Sequence, residues 1–137
     1  MTLYCDENVS PTLVKGLSIL QDRLADDDRL NLKIVSLIDT FGRGALDEDW
    51  NPKIGKEKAL ALTHDINIKR RRQQFALLAN HDVGIIFIKR PSKKSRYWDT
   101  VLQVVRAWPE VRRLIKINKK TTEIRIEIPA SGKPKIV

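Results

Sequence analysis

Acidic side chains follow three apolar segments of this sequence, as in LYCDENVSP at residues 3–11. Carboxylate oxygens are ligands that Mg²⁺ prefers, usually one or two per ion together with waters. Two such ions about 4 Å apart can activate a water and stabilise the leaving oxygen when a phosphodiester is cut. If these acids lie close together in the folded chain, they could form a metal site that hydrolyses phosphodiesters. In chain order they are Asp6, Glu7, Asp39, Asp47, Glu48, Asp49 and Asp65.

The apolar segments predict strands that alternate with helices. Runs rich in β-branched and apolar residues predict buried strands at 2–6, 32–38, 59–63 and 83–89. Pro11 suits the first turn of a helix, which leucines at helical spacing extend to about residue 25. The acidic stretch 26–29 reads as a solvated loop. Further helices are predicted from Asp47 and over 71–81.

The C-terminal part of the chain predicts one more helix and one more strand. Pro109 is expected to kink or restart this helix. The alternating segment 122–128 predicts an edge strand with one solvated face, and 129–137 a flexible tail. One face of the helix is expected to carry Trp98, Val101, Leu102, Val105 and Trp108.

Alternating strands and helices predict an α/β fold. We expect a three-layer α/β/α sandwich with a mainly parallel central sheet, a C-terminal edge strand and one domain over residues 1–128. In such sheets ligands bind beyond the carboxyl ends of the strands. The acids that follow the predicted strands should therefore lie near one another.

Basic residues concentrate in the second part of the chain. Residues 1–50 hold 10 acids and 5 bases, a net charge of −5; residues 51–137 hold 7 acids and 21 bases, a net charge of +14, which together give the +9 of the whole chain. A basic surface attracts polyanions such as nucleic acid. Two clusters after predicted strands could hold phosphates at the acidic edge: Lys69, Arg70, Arg71 and Arg72, and Lys89, Arg90, Lys93 and Lys94.

Four segments together resemble a PIN-like domain. They are LYCDENVSP at 3–11, DTFGRGALDEDW at 39–50, LALTHDINIKRR at 60–71 and VGIIFIK at 83–89. More narrowly, about residues 2–110 resemble the short branch grouped with VapC-type toxins of bacterial toxin–antitoxin pairs. The resemblance implies a Mg²⁺- or Mn²⁺-dependent ribonuclease that cuts RNA phosphodiester bonds with a metal-activated water. It also implies a cognate antitoxin as a partner and a possible homodimer.

Matching motifs carry the family's site onto this chain. Asp6, Asp47 and Asp65 match the catalytic, metal-binding acids, with Glu7 and Asp49 as further candidate ligands. Many PIN domains have another acid two residues past the acid at Asp65, but this chain has an asparagine there. Four residues are expected to support the site: Asn8, Asp39, Glu48 and Asn67.

Two other functions stay open at this point. The missing acid at Asn67 is compatible with a catalytically degenerate module that only binds nucleic acid. The basic C-terminal part could instead dock an acidic protein. His64 is expected to be a structural turn histidine and Cys5 a small buried hydrophobe. The single cysteine fits a reducing cytoplasm, and the absence of a run of about 20 apolar residues argues against a membrane partner.

Overall fold

A six-stranded sheet forms the centre of the fold. The computed structural model describes residues 1–28, 30–42, 56–64, 80–89, 96–118 and 120–137, and between them residues 53, 73, 76 and 94. Within these residues, the strands are β1 (Thr2–Cys5), β2 (Lys33–Ser36), β3 (Leu60–His64), β4 (Gly84–Ile88), β5 (Arg125–Ile128) and β6 (Lys135–Ile136). The segments 2–5, 33–36, 60–64 and 84–88 confirm four strands expected from their apolar composition.

The sheet has the order β2-β1-β3-β4-β5-β6 and is parallel except at one edge. β1 pairs in parallel with β2 and β3, β4 pairs in parallel with β3 and β5, and β6 pairs antiparallel with β5. Cys5 of β1 lies opposite Leu62 of β3, and the Asp6 N–H donates to the Leu62 carbonyl oxygen at 2.9 Å. The ladder therefore continues to the first acid after β1.

Two helices cover one face of the sheet: α1 (Pro11–Asp28) and α3 (Tyr97–Ile117). The alternate strand residues that include Leu62, Ile86 and Ile126 share a single apolar core with these helices. The Trp108 indole N–H of α3 donates to the Gln21 side-chain oxygen of α1 at 3.0 Å inside this core. The buried indole N–H therefore has a hydrogen-bond partner, and this bond links α1 to α3.

The opposite face carries the short helix α2 (Leu37–Phe41). Leu37 and Phe41 pack with Tyr4, Ala61, Phe87 and their neighbours in a second core. Strands β3 and β4 are buried throughout, as expected for parallel strands covered on both faces. The predicted α/β/α fold with a mainly parallel sheet is therefore confirmed.

Several element boundaries differ from those read from the sequence. Helix α1 continues to Asp28, so the acids at 26–28 are helical and not a loop. Strand β2 ends at Ser36, and the apolar pair that follows it begins α2. Strand β5 is not the edge of the sheet, because β6 pairs along its outer side; three of its four residues are buried. Part of the segment 129–137, expected to be flexible, thus forms a strand.

The buried face of α3 matches the expected one only in part. Trp108 is buried as expected and Val101 packs, partly buried, against the core, whereas Trp98, Leu102 and Val105 are exposed. The helix packs on the sheet through Val104, Trp108 and residues one turn on. Both stripes have helical spacing, so periodicity alone could not choose between them. Pro109 lies inside one continuous helix of 21 residues instead of restarting it. The helices expected from Asp47 and over 71–81 fall mainly outside the described residues.

Candidate functional site

Asp6 is a buried carboxylate at the carboxyl end of β1. Its side chain is 6% exposed. Oδ1 accepts a hydrogen bond from the Asn8 backbone N–H at 2.6 Å, and Oδ2 accepts one from the Thr63 hydroxyl at 2.8 Å. The Asp6 carbonyl oxygen also accepts from the Val9 N–H at 3.0 Å. Because a buried charge is costly without hydrogen bonds, these contacts both stabilise the carboxylate and fix its orientation.

The register of the sheet explains why Thr63 meets Asp6. Leu62 lies opposite Cys5, so the next residue along each parallel strand is Thr63 and Asp6. Side chains alternate between the faces, which puts these two on the same side as Tyr4 and Ala61. Thr63 was not assigned a role from the sequence. The available signal was a hydroxyl residue at the end of an apolar strand, just before the His-Asp pair.

The geometry at Asp6 suits a hard divalent cation. An ionised carboxylate has about four lone-pair sites, and the two hydrogen bonds use one on each oxygen. Oxygen ligands oriented by neighbouring donors are typical of Mg²⁺ and Mn²⁺ sites. In the described part of the chain, no group of three or more His, Cys, Asp or Glu side chains could hold a metal ion. The expected ligands Asp47 and Asp65 lie outside that part.

The other expected site residues are only partly described. Glu7 and Asn8 are exposed beside Asp6, and Asn8 contributes its backbone N–H to the site. Asp39 is exposed on α2 and lines a groove of about 610 Å³ between α2, β2 and α1. Glu48, Asp49 and Asn67 lie outside the described residues.

Of the basic residues expected to hold phosphates, the structure describes only two. Lys89 follows β4 directly and is exposed, and Lys94 is exposed in the segment before α3. The Gln103 side-chain amide of α3 donates to the carbonyl oxygens of Lys89, Ile128 and Pro129 at 2.7, 3.1 and 2.9 Å. This amide ties the ends of β4 and β5 together and positions the backbone of Lys89. The remaining expected contacts lie outside the described residues: Lys69, Arg70, Arg71, Arg72, Arg90 and Lys93.

A polar pocket of about 260 Å³ opens on the α1 and α3 side of the same edge. His64, the last residue of β3, is buried and lines it. The sequence indicated a structural turn histidine at this position and did not indicate the pocket. Its other polar lining residues are Asn8, Ser10, Arg96, Tyr97 and Thr100.

Two ionisable groups next to Asp6 are held in their neutral forms. Burial, together with a 2.7 Å hydrogen bond from its hydroxyl to Glu57 Oε2, raises the pKa of Tyr4 to about 12. Burial raises the pKa of the Cys5 thiol, and the nearby Asp6 charge raises it further. Cys5 is fully buried and is therefore the apolar core residue that the sequence indicated. A neutral thiol is a poor nucleophile, so Cys5 does not suit a nucleophilic role at this edge.

Comparison with known proteins identifies the family but no individual relative. No curated protein and no solved structure matches the chain. None of the helices in the described segments has the length and apolar character needed to cross a membrane. The family model described as a PIN like domain matches residues 1–90, which include β1 to β4 and the Asp6 site. A match over well more than half of the sequence shows that the chain belongs to the PIN-like domain family.

Proposed function

We propose that this protein is a metal-dependent endoribonuclease of the PIN type. The observation that carries the proposal is the Asp6 carboxylate, buried at the carboxyl edge of the sheet and oriented by Thr63 and Asn8. Burying a carboxylate costs free energy, and a fixed orientation is useful for a metal ligand. Membership of a family whose members include nucleases supports the same function.

Asp6, Asp47 and Asp65 would hold Mg²⁺ or Mn²⁺ in this proposal, with Glu7 and Asp49 as further ligands. A bound divalent cation supplies Lewis acidity towards a phosphoryl oxygen and makes water a nucleophile near neutral pH. The chain itself contributes orientation, because the Thr63 hydroxyl and the Asn8 N–H hold both oxygens of Asp6 in place. Preorganised ligands need not be reordered when substrate arrives.

The substrate of the proposed enzyme is RNA, held by basic residues around the acidic edge. The chain carries a net charge of +9. Lys89 and Lys94 are exposed and belong to the cluster after β4, which makes them candidates for contacts with phosphates. Each lysine that neutralises a phosphate adds affinity that falls as the salt concentration rises.

The biological role in this proposal is that of a VapC-type toxin. It rests on the resemblance of residues 2–110 to that short branch. A cognate antitoxin would silence the enzyme by covering the acidic edge or inserting a basic side chain beside Asp6. A homodimer is part of the same proposal.

The experiment is cleavage of a mixed cellular RNA pool with Mg²⁺, with Mn²⁺ and with EDTA. Asp6→Asn keeps the shape of the side chain and removes its charge, so we expect metal-dependent cutting by the wild type and none by the variant. Asp22→Asn, an exposed change on α1, is the matched control and should cut normally. Cutting that persists in EDTA, or in Asp6→Asn, would contradict the proposed site.

A second function is favoured by one residue, Asn67. An asparagine in place of an acid removes a charged metal ligand, which suits a module that binds RNA without cutting it. RNA binding in EDTA by antitoxin-free protein, with no cutting in either metal, would support this module over the nuclease.

A further inference from the structure

The first turn of α3 carries two large aromatic side chains on the surface. Tyr97 is 49% exposed and Trp98 is 64% exposed. Their rings stack, with centroids 6.3 Å apart and planes 30° apart. On the same helix Trp108 is only 2% exposed. The helix therefore has buried positions for aromatic residues, yet this pair faces water.

The aromatic pair adjoins the polar pocket at the edge of the sheet. Tyr97 is one of the residues that line the 260 Å³ pocket, next to Arg96 and Thr100. Across the pocket are Asn8 and His64. Tyr97 thus belongs both to the lining of the pocket and to the stacked pair.

The pocket also adjoins the candidate metal acid. Asn8 lines the pocket, and its backbone N–H bonds to Asp6 Oδ1 at 2.6 Å. His64 follows Thr63, whose hydroxyl bonds to Asp6 Oδ2. The pocket and the Asp6 carboxylate therefore lie on opposite sides of the same sheet edge, with Asn8 and the Thr63–His64 segment between them.

The charge of the lining indicates what kind of group would enter. Arg96 brings a guanidinium, and none of the described residues that line the pocket carries a carboxylate. The acid nearest in sequence, Asp99, accepts a hydrogen bond from the Arg96 backbone N–H at 3.0 Å. Arginine suits phosphate because its planar donors match the phosphate oxygens. An apolar protein segment would match the two rings but not this polar pocket beside them.

We infer that Tyr97 and Trp98 form a stacking platform for an unpaired nucleobase, with the adjoining pocket taking a phosphate of the same RNA strand. Every base has a π-face, so such a platform tolerates many sequences. Bases in a duplex are already stacked on their neighbours, so the platform favours single-stranded segments. This inference rests on the proposed RNA substrate. It gives Trp98 a role in positioning that strand and none in bond cleavage.

The test measures binding of a fluorescein-labelled RNA ten-mer by anisotropy, in EDTA so that metal-dependent cutting is absent. Trp98→Ala should weaken binding about 10- to 100-fold, the size expected for one lost stacked base. Trp98→Phe keeps an aromatic face and should recover most of that loss. Leu102→Ala is the control, since Leu102 is an exposed apolar residue one turn along the same helix. A duplex of the same sequence should bind with little dependence on Trp98.

Each outcome separates this inference from the proposed nuclease. RNA binding that depends on Trp98 but without any metal-dependent cutting supports the platform and contradicts the nuclease. Cutting that depends on Asp6, with Trp98→Ala binding RNA as the wild type does, overturns the platform alone. Size-exclusion chromatography tests the remaining alternative, in which a second copy of the chain packs on this face. If Trp98→Ala and Leu102→Ala both dissociate a dimer and neither changes RNA binding, the face joins two copies of the chain and the inference is wrong.

Discussion

Replacing Thr63 with valine tests whether the hydrogen bond to Asp6 organises the candidate site. Valine has nearly the shape of threonine, so the change mainly removes the hydroxyl that donates to Asp6 Oδ2 at 2.8 Å. Thr63 is buried, so water cannot readily take the place of the lost donor. The variant therefore leaves a buried carboxylate oxygen without the partner it has in the native protein.

The size of the effect follows from the charge and burial of this pair. A hydrogen bond to a charged group contributes about 1.5–3 kcal/mol net, so Thr63→Val should lower the free energy of unfolding by about that amount. Loss of a group that orients a metal ligand typically reduces metal affinity or activity by about 10- to 100-fold. The Mn²⁺ concentration that half-activates RNA cleavage should rise accordingly.

Thr63→Ser separates the two effects, because serine keeps the hydroxyl and removes only a methyl group. It should lose about 0.8 kcal/mol or slightly more of stability, with the Mn²⁺ midpoint unchanged. Thr40→Val is a second control, since the Thr40 hydroxyl bonds to the Ser36 carbonyl on the exposed part of α2. Urea unfolding and a Mn²⁺ titration of RNA cleavage are the measurements. A wild-type Mn²⁺ midpoint in Thr63→Val, with Asp6→Asn inactive, would refute the orienting role of Thr63.

Other expected outcomes concern packing and accessibility. Gly84→Ala should destabilise by about 1–3 kcal/mol or more in urea unfolding, because its Cβ would collide with the Thr121 carbonyl oxygen and lie 2.5 Å from a Leu60 methyl. Gly16→Ala, in the open interior of α1, should instead stabilise by about 0.5–1 kcal/mol; equal effects of the two changes would contradict the packing described for β4. Cys5 is fully buried, so iodoacetamide should label it only after denaturation, as mass spectrometry would show; rapid native labelling would mean that β1 opens. Gln103→Leu removes the donor to three carbonyl oxygens and should lower the free energy of unfolding by about 1–3 kcal/mol, whereas an unchanged value would show that water replaces the amide.

The sheet was largely predictable from the sequence because its strands are continuous apolar runs. β3 and β4 are buried on both faces, and such strands stand out by composition alone. The end of β2 was not predictable, since the apolar pair Leu37–Ile38 suits a strand and a helix equally well. The two-residue strand β6 is too short to produce a periodic pattern.

The orientation of α3 was predicted only in part, for a different reason. The helix carries apolar residues on two stripes, and the sequence does not say which of them meets the sheet. The inward stripe includes buried polar residues, such as Gln103 and Arg112, that resemble solvent-facing ones until their partners are known. Arg112 donates to the Leu24 carbonyl oxygen of α1 at 3.2 Å, a contact between residues 88 positions apart.

The candidate site was predictable only in part. A strand that runs into Asp6 at the carboxyl edge could be placed by topology alone, and the structure puts Asp6 there. The contact with Thr63 depends on the register of β1 against β3, which no local pattern encodes. The polar pocket unites residues from β3, α1 and α3, so its lining could not be assembled before the fold was known.

The strand order has a consequence for how the chain folds during synthesis. β3 pairs with β1, and from β4 onwards each new strand joins the edge formed by the strand made just before it, so this side of the sheet grows outward in the order of translation. When β4 leaves the ribosome, its outer edge has no partner until β5 follows, after the 21 residues of α3. An unpaired apolar edge invites association with other chains. Ribosomes stalled between β4 and β5 would therefore display a nascent chain with the apolar outer edge of β4 unpaired.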